Sequence, residues 1–513
     1  MALPHSYPLV IFTLGVTLFT VLHAAPTCAS PIGDGMVLQR GMPVPLCGLA
    51  GPGERITVRL CGQEASATAD ERGRWQLTMG PFEAGGPYEM EIAGREVRTV
   101  RNVLVGEVWV CSGQSNMEWA VSWSRDAAKE MSGANYPQIR LLKVPHVAAA
   151  EPQDDVTAEW RECSPESVRD FSAVGYFFGR RLHQELGVPI GLIDASWGGS
   201  PAQSWTSLEV LRADPRLAQF AGWYDGAMAA FPQALDAYRK SLSAWVTEAL
   251  EAPARGLQPP APPQPPMGPG NSWLPSSLYN GMIRPLRSYA IKGAIWYQGE
   301  SNADGAYQYR TLFPAMIADW RRAWGQGDFP FYFVQLAAYM PVQTEPAEQS
   351  AWAELREAQL MALAVPNTGM ASAIDIGDVD DIHPRNKQEV GRRLALWALA
   401  KTYGRDLVCS GPIYESMSAE GNKARLRFGY VGGGLKARDE RLSGFAVAGA
   451  DQRFEWAEAR IEGDTVVVWN DKVPQPVAVR YSWANNPIGN LYNTEGLPAS
   501  PFRTDDWPGV TQK

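Results

Sequence analysis

The chain has 513 residues, of which 45% are hydrophobic and 20% charged. These ordinary globular values exclude wholesale disorder, coiled coil and collagen, and leave room for about three domains at roughly 150 residues each. Lys and Arg number 46 against 55 Asp and Glu, a formal net charge of −9, so there is no basic surplus to neutralise phosphates and no nucleic-acid partner is expected. The 49 Gly and 40 Pro predict many turns and short strands, and the 19 Trp suit either sugar-stacking surfaces or an aromatic core.

The uncharged apolar run from Pro8 to Leu22, followed by Ala24, Ala25 and Ala29, is shorter than the ~20 residues of a spanning helix. It reads as a signal peptide over residues 1–29 and predicts a secreted or periplasmic protein. No Lys or Arg precedes the run, so an uncleaved N-terminal anchor is the alternative, and no other stretch is long enough to cross a bilayer.

Residues 30–102 show short alternating runs such as ITVRL and YEMEIAG between turn-rich GPGE, DERGRW and AGGPY, the rhythm of an N-terminal antiparallel β-domain. Residues 103–405 change to apolar strands separated by helical stretches: VLVGEVWV (103–110), PIGLIDA (189–195), KGAIWYQ (292–298), FYFVQLA (331–337) and MASAIDI (370–376). That alternation predicts an α/β class with a parallel sheet and a site at the carboxyl ends of its strands. Phe171, Val174, Phe178, Leu182 and Leu186 step at helical spacing, as do Leu235, Tyr238, Leu242, Trp245 and Val246. The second stripe belongs to an insertion at about 207–270 that ends in a proline-rich extended linker. Its helical part either covers the site or is a surface embellishment. From 406 to 513 short strands return (ARLRF, TVVVW, VAVRYSW) and predict a C-terminal β-module.

Chemistry-bearing residues gather at the strand ends. The first strand is followed by Gln114, Ser115 and Asn116, which places a serine hydroxyl at the sheet edge beside free backbone N–H groups. Met117 stands where the GxSxG elbow needs glycine. The fifth strand leads into Asp378, Asp380, Asp381 and His383. An imidazole can take the serine proton, and a carboxylate can hold its tautomer; Asp380 and Asp381 are both placed for that. The helix predicted after His383 brings a positive end that lowers the imidazole pKa, against the carboxylates. The same acidic run does not make an EF-hand, because His383 falls at the glycine position. Trp197 to Ser200 and Gln298 to Asn302 end two further strands and offer N–H groups and amides to an oxyanion.

After the leader only His146, His183 and His383 remain, and no His/Cys cluster has zinc spacing, so no metal and no cofactor are expected. Of the six cysteines, Cys47 and Cys61 lie in one β-region and are candidates to pair.

GEVWVCSGQSNMEW, SWGGSPAQSW, IWYQGESN and DIHPRNKQEVGRRLAL resemble the four blocks of the sialate O-acetylesterase family, a branch of the SGNH (GDSL-like) hydrolases. GDGMVLQR and RYSWANNPIGNLYNTEGLPASPFRT resemble the family's flanking β-regions, and residues 207–270 match none of its blocks. The resemblance implies an SGNH-type flavodoxin-like sheet between β-sandwich-like modules. It further implies Ser115 as nucleophile, His383 as base, and oxyanion donors from the Ser115 backbone, Gly199, Gln298 and Asn302. QGESN replaces the wider GxND block, so which side chain donates there stays open. The wider DxxH spacing selects Asp380 as the acid, while DIHP selects Asp381. Gln114, Asn116, Trp197 and Glu300, on the same loops, are the candidate substrate contacts. The expected activity is acetyl removal from carbohydrates through an acyl-enzyme, with sialosides, xylan or xyloglucan fragments as substrates. A non-catalytic carbohydrate-binding protein and a lipase or thioesterase are the alternatives.

Overall fold

The computed structural model describes residues 25–512, so most of the predicted leader lies outside the described residues. Its last part does not: Thr27–Cys28 pairs antiparallel with Val44–Leu49, so the end of the predicted signal segment belongs to the N-terminal sheet. Among the described residues no helix is long and apolar enough to cross a membrane.

The central element is strand β1, Val97–Gly113. Its first half pairs with Gly85–Ala93 and Val37–Gln39 of the N-terminal region, and its second half is the middle of the α/β sheet. The change of rhythm at residue 103 therefore falls inside one continuous strand. Asn102, at φ +59, takes the left-handed conformation that Asn tolerates and lets the strand turn from one layer into the other.

Six more strands extend this sheet: β2 (Tyr136–Lys143), β3 (Trp160–Cys163), β4 (Ile190–Ser196), β5 (Gly293–Tyr297), β6 (Phe331–Gln335) and β7 (Thr368–Ser372). They lie in the order β3-β2-β4-β1-β5-β6-β7, all parallel except β3. The five strands expected from apolar runs are all present. Their continuous burial on both faces is what an all-parallel region requires, and it explains why they read as unbroken apolar runs. Register places the site. Gly113 stands opposite Ser196 of β4 and Tyr297 of β5, so the loops after these three strands leave the sheet at one level.

Helices cover both faces. They include α1 (Ser115–Glu118), α2 (Ala173–Leu186), α3 (Ala218–Glu251) and α4 (Lys387–Trp397). Helix α2 buries Val174, Phe178 and Leu182 of the expected stripe. Helix α3 behaves differently: only Ala221 and Tyr224 along it are buried. The predicted stripe of α3 is only half-buried, with Val246 exposed; the chain's own proline-rich return touches the helix where Trp245 Nε1 donates to Pro260 O at 2.8 Å and Gly268 sits against the Phe231 ring. Outside the helix the α3 side chains bond to Arg212, Ala150, Pro260 and Arg255 and to no residue of the site described below.

In the C-terminal region two four-stranded antiparallel sheets enclose a second apolar core that includes Leu426, Phe428, Val447, Val466, Val479 and Phe502. A third, two-stranded sheet pairs β8 (Leu435–Ala437) with β9 (Leu491–Asn493). The region is tied to the α/β layer by Arg356, fully buried, whose guanidinium donates to the carbonyls of Leu336, Ala337, Ala484 and Asn485. Cys47 and Cys61 do not pair; all six cysteines carry free thiols.

Candidate active site

The loops after β1, β4, β5 and β7 meet at the carboxyl edge of the sheet. Ser115 opens the one-turn helix α1 directly after Gly113 and Gln114. Gly113, at φ +141, lies so close to β5 that a Cβ would be 2.1 Å from the Tyr297 carbonyl oxygen, so only glycine lets the chain turn there. The turn is held from beneath: Gln114 Oε1 accepts the N–H groups of Gly299 (3.3 Å) and Ser301 (3.2 Å).

His383 comes from the loop between β7 and α4, and Asn386 caps α4 by accepting the Glu389 N–H at 3.3 Å. His383 Nε2 is 2.9 Å from Ser115 Oγ, and Nδ1 is 3.2 Å from Asp381 Oδ1. A carboxylate can only accept, so Nδ1 carries the ring proton and bare Nε2 accepts the serine hydroxyl hydrogen. Asp381 Oδ1 also accepts the His383 backbone N–H at 2.9 Å, which locks the loop in a tight turn. Asp380, the other candidate, is exposed; its N–H donates to Asp378 Oδ1, and no hydrogen bond or ion pair joins it to His383. The imidazole stacks on Trp119, with centroids 4.9 Å apart.

Beneath His383 lies a charge that the motif reading did not single out. Lys387, the first residue of α4, is fully buried. Its ammonium donates to Asn116 Oδ1 and sits over the rings of Tyr297 (5.3 Å) and Trp119 (5.5 Å). Asn116 Nδ2 in turn donates to Glu300 Oε1 at 2.6 Å and to Ile382 O at 3.0 Å. The amide thus bridges a buried cation to an acid and ties the Ser115 turn to the His383 loop. Burial brings the Lys387 pKa down to about 7 and pushes the Glu300 carboxyl up. His383 is lowered by its own burial and then by Lys387, with Asp381 opposing. The expected lowering therefore occurs, through burial and a lysine. Lys387 occupies the position three before Val390 on the apolar face of α4, and a lysine on that stripe was the available signal.

On the other side of Ser115, Glu118 Oε2 accepts the Gly198 N–H at 2.6 Å, and its Oε1 is 3.1 Å from His146 Nε2. His146 Nε2 also lies 3.1 Å from the Ser196 carbonyl, so this nitrogen carries a proton. The His146 ring stacks on Trp197, centroids 4.2 Å apart and nearly parallel. The bond to Glu118 raises His146 above the usual imidazole range, against burial. Burial pushes Glu118 up, but the bond and charge of His146, helped by the Gly198 N–H, hold it below the usual carboxylate range. Gly198 packs against Ser115, a Cβ there lying 3.4 Å from the serine Cβ. The N–H groups of Ser115 and of Gly199, at φ +71, have no hydrogen-bond partner among the described residues.

Two predicted oxyanion donors are turned away. Gln298 is fully buried; its Nε2 donates to Ser200 O (3.3 Å) and Asn302 Oδ1 (2.7 Å), and its Oε1 accepts from Tyr309. Both amide hydrogens are therefore committed inside the protein. Asn302 is likewise buried: Oδ1 accepts the Ala202 N–H at 2.8 Å, and Nδ2 donates to Gln203 at 2.9 Å. Of the predicted substrate contacts, Gln114, Asn116 and Glu300 bond within the loop framework, while Trp197 keeps part of its face accessible beside His146. Among the described residues no group of three or more His, Cys, Asp or Glu side chains is placed to hold a metal ion.

Curated sialate O-acetylesterases match nearly end to end: the Mus musculus protein is 32% identical over 92% of this chain and 93% of its own length, and the Homo sapiens protein 31% over 94% and 93%. The chain belongs to the sialate O-acetylesterase family. The family profile described as carbohydrate esterase, sialic acid-specific acetylesterase matches residues 268–400, which include the third loop and the Asp381–His383 turn. Among solved structures, a carbohydrate acetylesterase from Xanthomonas citri is 40% identical and superposes with a TM-score of 0.80, covering 94% of this chain and all of that one. Membership covers the flanking β-regions as well as the α/β core.

Proposed function

We propose that Ser115, His383 and Asp381 work as a triad in carbohydrate O-acetyl ester hydrolysis. The chain is a carbohydrate esterase, as its family membership and its structural neighbour indicate. The observation that carries the residue assignment is the single imidazole that faces Ser115 Oγ with one nitrogen and Asp381 with the other.

Ser115 Oγ attacks the acetyl carbonyl carbon while its proton passes to His383 Nε2. The free N–H groups of Ser115 and Gly199 are the oxyanion donors, a role that preorganised backbone N–H groups fill well. His383 then protonates the departing sugar oxygen, leaving acetyl-Ser115. A water gives its proton to Nε2 and attacks the acyl carbon; collapse frees acetate and returns the proton to Ser115. The lowered pKa of His383 keeps the base neutral at neutral pH. Taking only β1, β4, β5, β6 and β7, numbered in chain order, the sheet runs 2-1-3-4-5, which supports an SGNH-type flavodoxin-like core with β2 and β3 added beyond β4. The apolar run Pro8 to Leu22 supports secretion or periplasmic export.

The test is acetate release from acetylated sialosides, xylo-oligosaccharides and xyloglucan fragments by the wild-type protein and by Ser115→Ala. Release by the wild type from at least one class, with less than about a hundredth of it left in the variant, is expected. Equal rates would remove Ser115 from the mechanism.

A further inference from the structure

Among the described residues the tryptophan most open to solvent is Trp123, with 55% of its surface exposed. It ends the short helical turn Val121–Trp123 that follows α1. Its ring packs edge to face with Trp119, centroids 5.3 Å apart, and Trp119 in turn stacks on the His383 imidazole at 4.9 Å. These two separations put the exposed indole no more than about 10 Å from the imidazole. A run of aromatic rings thus leads from the base of the site out to the surface.

The turn that carries Trp123 is pinned on two sides. Val121 is fully buried, its N–H donates to Phe171 O at 3.1 Å, and the Ser122 N–H donates to Arg169 O at 3.0 Å. Buried Ser124 closes the turn, its Oγ donating to Val121 O at 2.7 Å. One residue further on, the Arg125 N–H donates to Arg385 O at 2.8 Å, which ties the segment to the loop that carries His383. The indole is therefore held at a fixed place beside the base while much of its surface stays open to water. A ring that lands on it has no loop to order, so the contact is preorganised.

The chemistry of the ester fixes which part of the substrate passes there. His383 Nε2 delivers its proton to the departing sugar oxygen, so the alcohol part of the ester lies at the imidazole, whereas the free N–H groups of Ser115 and Gly199 mark the acetyl side. Trp119 and Trp123 flank the imidazole. A pyranose ring presents a face of C–H bonds, and the face of an indole is electron-rich, so the two stack. We infer that Trp123 is a stacking platform for the sugar next to the acetylated one, and that the enzyme prefers acetyl groups carried on glycan chains to acetylated monosaccharides. The inference rests on the Ser115–His383 reading for its direction. It makes Trp123 a specificity-determining residue, which supplies binding energy remote from the bond that breaks.

The test compares kcat/KM on an acetylated oligosaccharide, on the acetylated methyl glycoside of the same ester-bearing sugar, and on 4-nitrophenyl acetate, with sialosides, xylan and xyloglucan fragments each supplying a pair. The wild type is expected to favour the oligosaccharide over the glycoside by at least about tenfold in one class. Trp123→Ala should remove that preference, and Trp123→Phe, which keeps a smaller aromatic face, should retain at least about a third of it. Calorimetry on the full chain with the deacetylated oligosaccharide and glycoside reads the platform without turnover. The oligosaccharide should bind at least about tenfold more tightly, and Trp123→Ala should abolish the difference. Equal rates on oligosaccharide and glycoside in every class would overturn the platform, as would a preference that survives Trp123→Ala. So would a loss in Trp123→Ala that is equal on all three substrates, the mark of a disturbed Trp119 and His383. A Ser115→Ala protein that still releases acetate, beside a binding difference that depends on Trp123, would support the platform and overturn only the triad reading.

Discussion

Two histidines flank Ser115, and they are built alike yet tuned in opposite directions. Each stacks on a tryptophan, His383 on Trp119 and His146 on Trp197, and each faces a carboxylate, Asp381 or Glu118. His146 is raised because its bond to Glu118 outweighs burial, whereas His383 is lowered because burial, aided by the Lys387 ammonium, outweighs Asp381. The carboxylates stand at nearly equal distances, 3.1 Å for Glu118 and 3.2 Å for Asp381, but Asp381 is half exposed, where solvent weakens its field. The lesson is that a His–carboxylate pair is not by itself a base. The ring that stays neutral can accept the serine proton, and the ring that holds its proton is suited to fixing the Gly198 turn through Glu118.

Four sets of substitutions would break or sharpen this contrast. The largest effect is expected from exchanging the histidines' fates: His383→Ala should lower turnover by several powers of ten and His146→Ala by about tenfold, since only the first sits on Ser115 Oγ. Comparable losses in acetate release would erase the distinction. Next, Asp381→Asn should cost up to about 10⁴ by stranding the imidazole in the wrong tautomer, the magnitude known from a serine protease triad. Asp380→Asn should cost about tenfold or less, with similar melting temperatures. Equal mild losses would leave a Ser115–His383 dyad. Third, Glu118→Gln keeps an acceptor near Gly198 but removes the charge opposite His146. A loss of about tenfold in kcat with little change in KM is expected, smaller than the 10² to 10³ of deleting an oxyanion donor outright; an unchanged kcat would detach this pair from the reaction.

The smallest effect concerns Lys387. The rate of a neutral-base enzyme rises with pH as the imidazole loses its proton, so the lowered His383 pKa places the acid limb of kcat/KM below the ordinary imidazole range. In that limb, below about 7, Lys387 is protonated and repels the imidazolium. Lys387→Met removes this repulsion, so the acid limb should move to higher pH, with a few-fold loss at mildly acidic pH and little at alkaline pH. A limb that stays in place, in a variant with the wild-type circular dichroism, would mean that burial alone sets the His383 pKa. The companion Lys387→Arg, which keeps the charge, should restore the wild-type profile if it folds.

Composition, strand rhythm and the four loop blocks determined much on their own. Apolar runs long enough for one buried strand can be read locally, because burial on both faces leaves no alternation to interpret. Ser115, His383 and the neighbouring acids were legible because a nucleophile, a base and a carboxylate at strand ends have few other uses together. What the tertiary structure decided is where side chains point. Asp381 rather than Asp380 meets His383 because the turn closes through the His383 N–H, and adjacent residues leave such a turn in different directions. Gln298 and Asn302, plausible oxyanion donors by position, face inward because Ser200 and Gln203 of the loop after β4 and Tyr309 of a separate helix take up their hydrogen bonds. His146 reaches Glu118 from 28 residues away along the chain, and Lys387 reaches Asn116 across 271. Local sequence has no means of stating such pairings: they follow from register and from the demand that every buried polar group find a partner.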